Sequence, residues 1–273
     1  MESIHVTESG RGDTAILVHG TLNPGTVSWP ARRPLAEAYR LLVIDRRGFG
    51  ESPPATGQDF ERDADDIAAL LSGPPVHLMG HSYGGLGCLL AAARRPEAVR
   101  SLVVVEPAAF GVAMGHPAVD ADVAKLAALL DAAPGLSGAE FLRQFVGLLG
   151  GDPREIPDPL PAPLARGVEL WKNSRRASEA EIPLDALAAA PFPKLVVSGG
   201  HNEAFEAICD VIEAKLGAER AVISGAGHQN LSPERCHPGH PSRRRTASEH
   251  LRPHRRRRSS PREGLQAFHA EDF

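Results

Sequence analysis

The chain has 273 residues, and its 42% hydrophobic and 23% charged residues are typical of a globular protein with a sizeable core. Its apolar runs fall short of the ~20 residues that a membrane-spanning helix needs, and its first residues lack the basic-then-apolar pattern of a signal peptide. Three cysteines without a CxxC pair favour a reducing compartment. We therefore expect a cytoplasmic protein that does not contact the membrane.

The net charge of −4 is unevenly distributed along the chain. Residues 229–273 carry +5, so residues 1–228 carry −9. Nucleic-acid binding depends on a basic surface. We therefore expect no nucleic-acid partner for residues 1–228.

Short apolar runs alternate with longer helical patterns in most of the chain. Because the short runs are continuously apolar, they indicate strands buried on both faces, as in a parallel sheet covered by helices. The predicted strands lie at residues 15–18, 41–44, 76–79, 102–105, 195–197 and 221–223. The predicted helices between them lie at residues 58–72, 83–95 and 203–216.

Residues 111–192 interrupt this alternation without a strand-like run. Val119, Val123 and Leu126 recur there at helical spacing, as do Phe141 and Phe145. We expect a helical cap over the carboxyl edge of the sheet, with residues 1–110 and 193–228 forming the core. A separate helical domain is the alternative.

The motif Gly80-His81-Ser82-Tyr83-Gly84 lies between the strand at 76–79 and the helix at 83–95. A GxSxG pattern in a strand–turn–helix context exposes its serine on a sharp turn as a nucleophile. The start of the helix directs free N–H groups at any anion that forms there. Without other landmarks, Ser82 would be no more than a helix cap.

Two further motifs follow earlier predicted strands. In Leu17-Val18-His19-Gly20-Thr21, the N–H of Thr21 and the N–H of Tyr83 are candidates for an oxyanion hole, although a simple glycine turn is the alternative. Residues 45–52 read Asp-Arg-Arg-Gly-Phe-Gly-Glu-Ser, and their glycines suit a tight turn beside the same edge. We expect Asp45 to be structural rather than catalytic.

The segment Gly225-Ala226-Gly227-His228 follows the last predicted strand. A histidine on a glycine-flanked loop at this edge of the sheet can reach Ser82 as a general base. The order of the chain, nucleophile before histidine, is the one required when GxSxG marks a nucleophile elbow.

Together these landmarks resemble those of the α/β-hydrolase superfamily, over residues 1–228. The resemblance implies a mostly parallel sheet flanked by helices, a small-molecule acyl substrate, and no metal or organic cofactor. Family members with an aspartate nucleophile, the epoxide hydrolases and haloalkane dehalogenases, are disfavoured because residue 82 is serine.

The resemblance leaves two candidates for the carboxylate that completes a catalytic triad. The usual family position after the strand at 195–197 falls on Asn202, and Glu203 is one residue late. The other family position is the end of the strand at 102–105, which Glu106 follows directly. We expect Glu106, with Glu203 as the alternative.

The predicted reaction is hydrolysis of a small carboxylic ester through an acyl-enzyme, with Ser82 as nucleophile and His228 as base. A lactone, a C–C bond beside a ketone or peracid exchange are alternatives within the fold. A non-catalytic ligand-binding protein is the alternative from another class, because fold alone does not fix function. The sequence leaves the oligomeric state open.

Beyond His228 the composition changes abruptly. Residues 235–262 are dominated by Arg, Ser, Pro and His, which cannot bury enough apolar surface to fold. Cys236-His237 and His240 lack a complete metal ligand set. We favour a shifted reading frame as the origin of this tail, because GC-rich codons for Ala, Leu, Glu and Val yield such residues out of register. A basic arm that binds polyanions is the alternative.

Overall fold

The computed structural model describes residues 2–29 and 32–228. Its strands form one sheet in the order β1-β3-β2-β4-β5-β6-β7. They are β1 (Val6–Gly10), β2 (Asp13–Val18), β3 (Tyr39–Ile44), β4 (Val76–His81), β5 (Val99–Val105), β6 (Lys194–Ser198) and β7 (Glu219–Val222). The predicted tail at 229–273 lies outside the described residues.

The α-helices in the described part of the chain flank or cover this sheet. They are α1 (Gly25–Ser28), α2 (Arg32–Ala38), α3 (Phe60–Leu70), α4 (Tyr83–Arg94), α5 (Pro117–Ala132), α6 (Gly138–Leu148), α7 (Ala162–Lys172), α8 (Leu184–Ala189) and α9 (Glu203–Leu216). Within the described ranges, no helix combines the length and apolar character needed to cross a bilayer.

The sheet is parallel from β3 through β7, and β1 alone among the described strands pairs antiparallel, with β3. The prediction of a mostly parallel sheet flanked by helices is confirmed. The prediction missed β1 because this edge strand is short and its sequence, Val-Thr-Glu-Ser-Gly, is mostly polar. The last strand begins and ends earlier than predicted, at Glu219–Val222.

Local capping sets the bounds of the helices that lead to the site. The Asp59 side chain accepts from the N–H of Glu61 at the start of α3, and Asn202 caps α9 by accepting from the N–H of Phe205. Helix α9 ends where Gly217 adopts the left-handed conformation. Helix α4 is almost wholly buried against the sheet and α3, as its Ala- and Gly-rich sequence allows.

The segment between β5 and β6 holds α5 to α8 and no strand, as its periodicity predicts. Phe141, Phe145 and Trp171 form the centre of a hydrophobic cluster that also includes Leu22, from the loop after β2. The first part of α5, and Leu184 and Leu187 of α8, instead pack on the main core. The boundaries of the predicted core and cap stay a prediction.

Candidate active site

Ser82 lies on the turn between β4 and α4, in a conformation that few L-residues adopt. Its φ of 51° and ψ of −124° define a strained elbow, stabilised by its N–H donating to the carbonyl of Val105 (3.0 Å). A Cβ at Gly84 would lie 2.2 Å from the carbonyl oxygen of His19. The second glycine of GxSxG is therefore needed for the close approach of α4 to the loop after β2.

Three predicted residues meet in one hydrogen-bonded chain. Ser82 Oγ lies 2.9 Å from His228 Nε2, and His228 Nδ1 lies 2.7 Å from Glu106 Oε2. All three side chains are buried. The chain of contacts therefore runs from a hydroxyl through an imidazole to a carboxylate, with each distance in the hydrogen-bond range.

Glu106 directly follows β5 and has a φ of 38°, which is rare outside glycine. It is 0% exposed, and its Oε1 accepts from the N–H of Gly199 (2.7 Å). Burial raises the pKa of Glu106, and the Gly199 N–H opposes that rise. Glu203, the alternative acid, is exposed in the first turn of α9, and the carboxylate that contacts His228 is that of Glu106.

The imidazole of His228 is enclosed, and its ring stacks on Phe205 with centroids 4.4 Å apart and planes at 19°. Burial, reinforced by His201, lowers the pKa of His228 to about 3. The neutral ring with its proton on Nδ1 donates to Glu106 and leaves Nε2 free to accept from the Ser82 hydroxyl. The enclosure therefore favours the basic form of the imidazole.

Two other imidazoles hold the main chain of His228. His81 Nε2 donates to the carbonyl oxygen of His228 (3.0 Å), and His201 Nε2 accepts from the N–H of His228 (3.2 Å). Burial lowers the pKa of His81 to about 3 as well. Sequence reasoning included His81 only as a variable position of the motif, and missed His201, which no pattern marks.

The two predicted oxyanion donors lie on adjoining segments. Tyr83 is the first residue of α4, so its N–H has no acceptor within the helix. Thr21 lies in the loop after β2, where its Oγ1 donates to Gln58 Oε1 (3.3 Å). A Cβ at Gly20 would lie 3.0 Å from the Ser82 Cβ, so this loop passes directly beside the elbow.

Comparison with known proteins identifies the family of the chain from its sequence and its fold. Residues 15–144 match the sequence pattern of the family described as "alpha/beta hydrolase fold". The α/β hydrolase of Sphaerobacter thermophilus has the same fold, with a TM-score of 0.62 and 24% identity over 85% of this chain and 94% of that one. The chain belongs to the α/β-hydrolase superfamily.

The names of the relatives within this superfamily indicate different substrates. The pimeloyl-[acyl-carrier protein] methyl ester esterase of Aeromonas salmonicida is 37% identical over 38% of this chain and 41% of its own length. The 2-hydroxy-6-oxo-6-phenylhexa-2,4-dienoate hydrolase of Burkholderia cepacia is 28% identical over 74% of this chain and 75% of its own. Relatives at 34% to 37% identity are matched over only 39% to 41% of their length.

Beneath the active-site edge of this α/β hydrolase, buried Arg46 holds the loop after β2. Its guanidinium donates to the carbonyl oxygens of His19 (3.0 Å) and Gly20 (2.8 Å), and it pairs with Asp63 (2.7 Å). His19 accepts from the Arg46 N–H at Nε2 (2.9 Å) and contacts the Gly20 carbonyl through Nδ1 (2.8 Å). This pattern fixes a neutral imidazole, and burial lowers the pKa of His19 well below its usual value.

Asp45, expected to be structural, accepts from the N–H groups of Gly25 (2.8 Å) and Glu51 (3.3 Å). Sequence reasoning missed Arg46 and Gln58 as supports of the site. Arg46 lies in the Asp-Arg-Arg-Gly motif at residues 45–48, but nothing in the pattern indicates which backbone oxygens it binds.

Two pockets of the described chain border the site. A space of about 50 Å³ is lined by residues that include Tyr83, Trp171 and Arg175. A larger one of about 300 Å³ lies beside His228 and His201, against residues 146–151 of the helical segment. Both are lined in part by residues of the helical segment that follows β5.

Glu106, His201 and His228 form the one group of described residues close enough together to hold a metal ion. Glu106 Oε2 and Oε1 already face His228 Nδ1 (2.7 Å) and His201 Nδ1 (3.3 Å). Contacts among the three side chains therefore account for their proximity. The absence of a metal or cofactor requirement stays a prediction.

Proposed function

We propose that this chain is a serine hydrolase that cleaves a small carboxylic ester or related acyl substrate through an acyl-enzyme. The observation that supports it best is the continuous chain from Ser82 Oγ to His228 (2.9 Å) and from His228 to Glu106 (2.7 Å). A hydroxyl becomes a nucleophile when an adjacent base removes its proton and a third group orients that base.

In the first half of the proposed reaction, Ser82 Oγ bonds to the carbonyl carbon while His228 Nε2 takes the hydroxyl proton. The carbonyl electrons move to oxygen, and the N–H groups of Thr21 and Tyr83 stabilise that oxyanion. Glu106 stabilises the imidazolium that has formed. The oxyanion then collapses, the bond to the leaving oxygen breaks, and the proton on His228 passes to the leaving alcohol.

In the second half, His228 takes a proton from water as the water oxygen attacks the acyl carbon. A second oxyanion forms and collapses, releasing the acid and returning the proton to Ser82 Oγ. The net reaction consumes one water and yields an acid and an alcohol, without an external oxidant or reductant.

A second candidate function is hydrolysis of a C–C bond beside a ketone. The supporting observation is the wide match to the Burkholderia cepacia enzyme, whose named substrate is an oxo-dienoate with no ester bond. The same residues would serve both reactions, with a carbon rather than an oxygen leaving group. Turnover of a 2-hydroxy-6-oxo-dienoate in preference to p-nitrophenyl acetate would favour this candidate.

The experiment that tests the proposal is Ser82→Ala, with Ser72→Ala, exposed in the loop between α3 and β4, as the matched control. We expect kcat for p-nitrophenyl acetate to fall about 10⁴–10⁶-fold in Ser82→Ala only, because the nucleophile is lost. A fluorophosphonate should label Ser82 in the native chain and in the control. Full activity of Ser82→Ala, or no labelling of the native chain, would overturn the proposed function.

A further inference from the structure

We propose that His201 is a positioning residue that holds Glu106 and His228 together in their hydrogen-bonding geometry. This inference rests on the proposed function of the Ser82 site, and it adds a residue to which neither the sequence pattern nor the relatives assign a role. His201 contacts neither Ser82 nor an oxyanion donor in the described structure. It acts on the reaction only through Glu106 and His228.

The contacts of the His201 ring determine where its proton lies. Nε2 accepts from the N–H of His228 (3.2 Å), so it must carry a lone pair. The proton of the neutral ring is therefore on Nδ1, which faces Glu106 Oε1 at 3.3 Å. One imidazole thus accepts a hydrogen bond from the base residue and places a buried nitrogen 3.3 Å from the acid residue, in electrostatic contact without hydrogen-bond geometry.

The position of His201 in the chain explains how its ring reaches both Glu106 and His228. The loop between β6 and α9 reads Gly199-Gly200-His201-Asn202, and Gly199 itself donates to Glu106 Oε1 (2.7 Å). A Cβ at Gly199 would lie 2.0 Å from the carbonyl oxygen of Ala226. The glycine therefore lets this loop pack directly against the loop that carries His228.

In the usual family layout the loop after β6 carries the triad carboxylate, whereas here it contacts a carboxylate that follows β5. With the carboxylate at the end of β5, the loop after β6 supplies one hydrogen-bond donor to it, the Gly199 N–H, and places His201 Nδ1 3.3 Å from the same oxygen. A buried carboxylate needs such donors because each unsatisfied oxygen is costly. His201 Nδ1 is a buried atom without a hydrogen-bond partner among the described residues, so its contact with Glu106 Oε1 is electrostatic.

His81 holds the other end of the same peptide segment. It donates to the carbonyl oxygen of His228 (3.0 Å), while His201 accepts from the N–H of that residue. Removing His201 leaves the His228 N–H unpaired and removes the ring nitrogen that lies beside Glu106 Oε1. We expect the imidazole of His228 to shift relative to Ser82, and a displacement of about 1 Å can cost about 10²-fold in rate.

The test compares His201→Ala, His201→Asn and His201→Gln. The asparagine amide can replace the Nδ1 donor toward Glu106, and the glutamine amide can replace the Nε2 acceptor toward His228. His5→Gln is the control, because His5 pairs with Glu51 next to edge strand β1, three strands from β4. The measurements are kcat and KM for p-nitrophenyl acetate, the rate of fluorophosphonate labelling, and the melting temperature.

We expect His201→Ala to lower kcat and the labelling rate about 10²-fold, with KM within about threefold of the native value. At least one of the Asn and Gln variants should have a kcat tenfold or more above that of His201→Ala. The His5→Gln control should match the native chain. The inference is wrong if His201→Ala labels at the native rate, or if all three variants lose activity equally in parallel with their melting temperatures. Failure of the native chain to label would instead refute the proposed function.

Discussion

At the residue scale, Glu106 combines full burial, a positive φ and a contact with the imidazole of His228. We expect Glu106→Gln to lower kcat about 10³–10⁴-fold, because a neutral amide cannot stabilise the imidazolium or enforce the Nδ1–H tautomer. Glu203→Gln is the matched control, since Glu203 is exposed at the start of α9. Ester-hydrolysis assays of the two variants check this. A larger loss in Glu203→Gln would move the acid to residue 203.

The pH dependence of activity follows from His228. Only the neutral imidazole can take the Ser82 proton, so activity is lost as the pH falls through the pKa of His228. Burial lowers that pKa from its usual 6.5 to about 3. We expect kcat/KM to be constant through pH 7 and 8 and its acidic limb to lie below pH 6.5. A profile measured from pH 4 to 9 with its midpoint above 6.5 would contradict this expectation.

The residues of the candidate site differed in how well the sequence predicted them. Ser82 and His228 lie in glycine-rich motifs at strand ends, and Glu106 follows a strand without a break, so chain order alone brings them to one edge of the sheet. Arg46 and His201 have no such marker. Their partners include backbone atoms of distant loops, and a sequence pattern holds no information on which backbone atoms face a side chain.

At the element scale, the long buried strands and amphipathic helices were predictable because apolar periodicity and caps mark them. Helix α9 begins at Glu203 and ends at Leu216, as predicted, because Asn202 and Gly217 cap its ends. The short α1 and α2 and the polar edge strand β1 were missed. Each is too short to show a period, and tertiary contacts rather than local pattern determine them.

The approach of α4 to the loop after β2 leads to a prediction for Gly84. Because an added Cβ would lie 2.2 Å from the carbonyl oxygen of His19, Gly84→Ala must displace backbone. We expect a loss of about 1–3 kcal/mol in the free energy of unfolding, measured with urea. Gly135→Ala, where the added atom meets open space, should stay within about 0.5 kcal/mol. Equal stability of the two variants would show that the helix can move away freely.

At the scale of the whole molecule, buried neutral histidines make stability depend on pH. Burial lowers the pKa values of His19, His81 and His228, so below pH 6.5 the unfolded chain binds protons that the folded chain does not. Stability should therefore fall as the pH falls, by about 2 kcal/mol for each of His81 and His228 between pH 8 and pH 5, since their folded pKa lies near 3. Asp63 and Glu106, with pKa values raised by burial, oppose part of this loss.

Urea unfolding at pH 8 and pH 5 tests this expectation, with activity assayed after return to pH 8. The midpoint should be lower at pH 5, and activity should recover wherever the fold has been retained. A midpoint that is the same at both pH values would show that protons bound by the two carboxylates fully offset those taken up by the histidines.

The backbone hydrogen bonds between neighbouring parallel strands continue into the candidate active site. The N–H of Ser82 donates to Val105, and the N–H of Glu106 donates to Val197 (2.8 Å), so each amide extends the pairing of its strand with the next. The spacing between nucleophile and acid is therefore set by the pitch between neighbouring strands, about 4.8 Å. The main chain of His228 has no such ladder bond, and the side chains of His81 and His201 hold its loop instead. We therefore expect any movement of the triad during turnover to lie mainly in the base, while the pairing of the strands keeps the nucleophile and the acid at fixed separation.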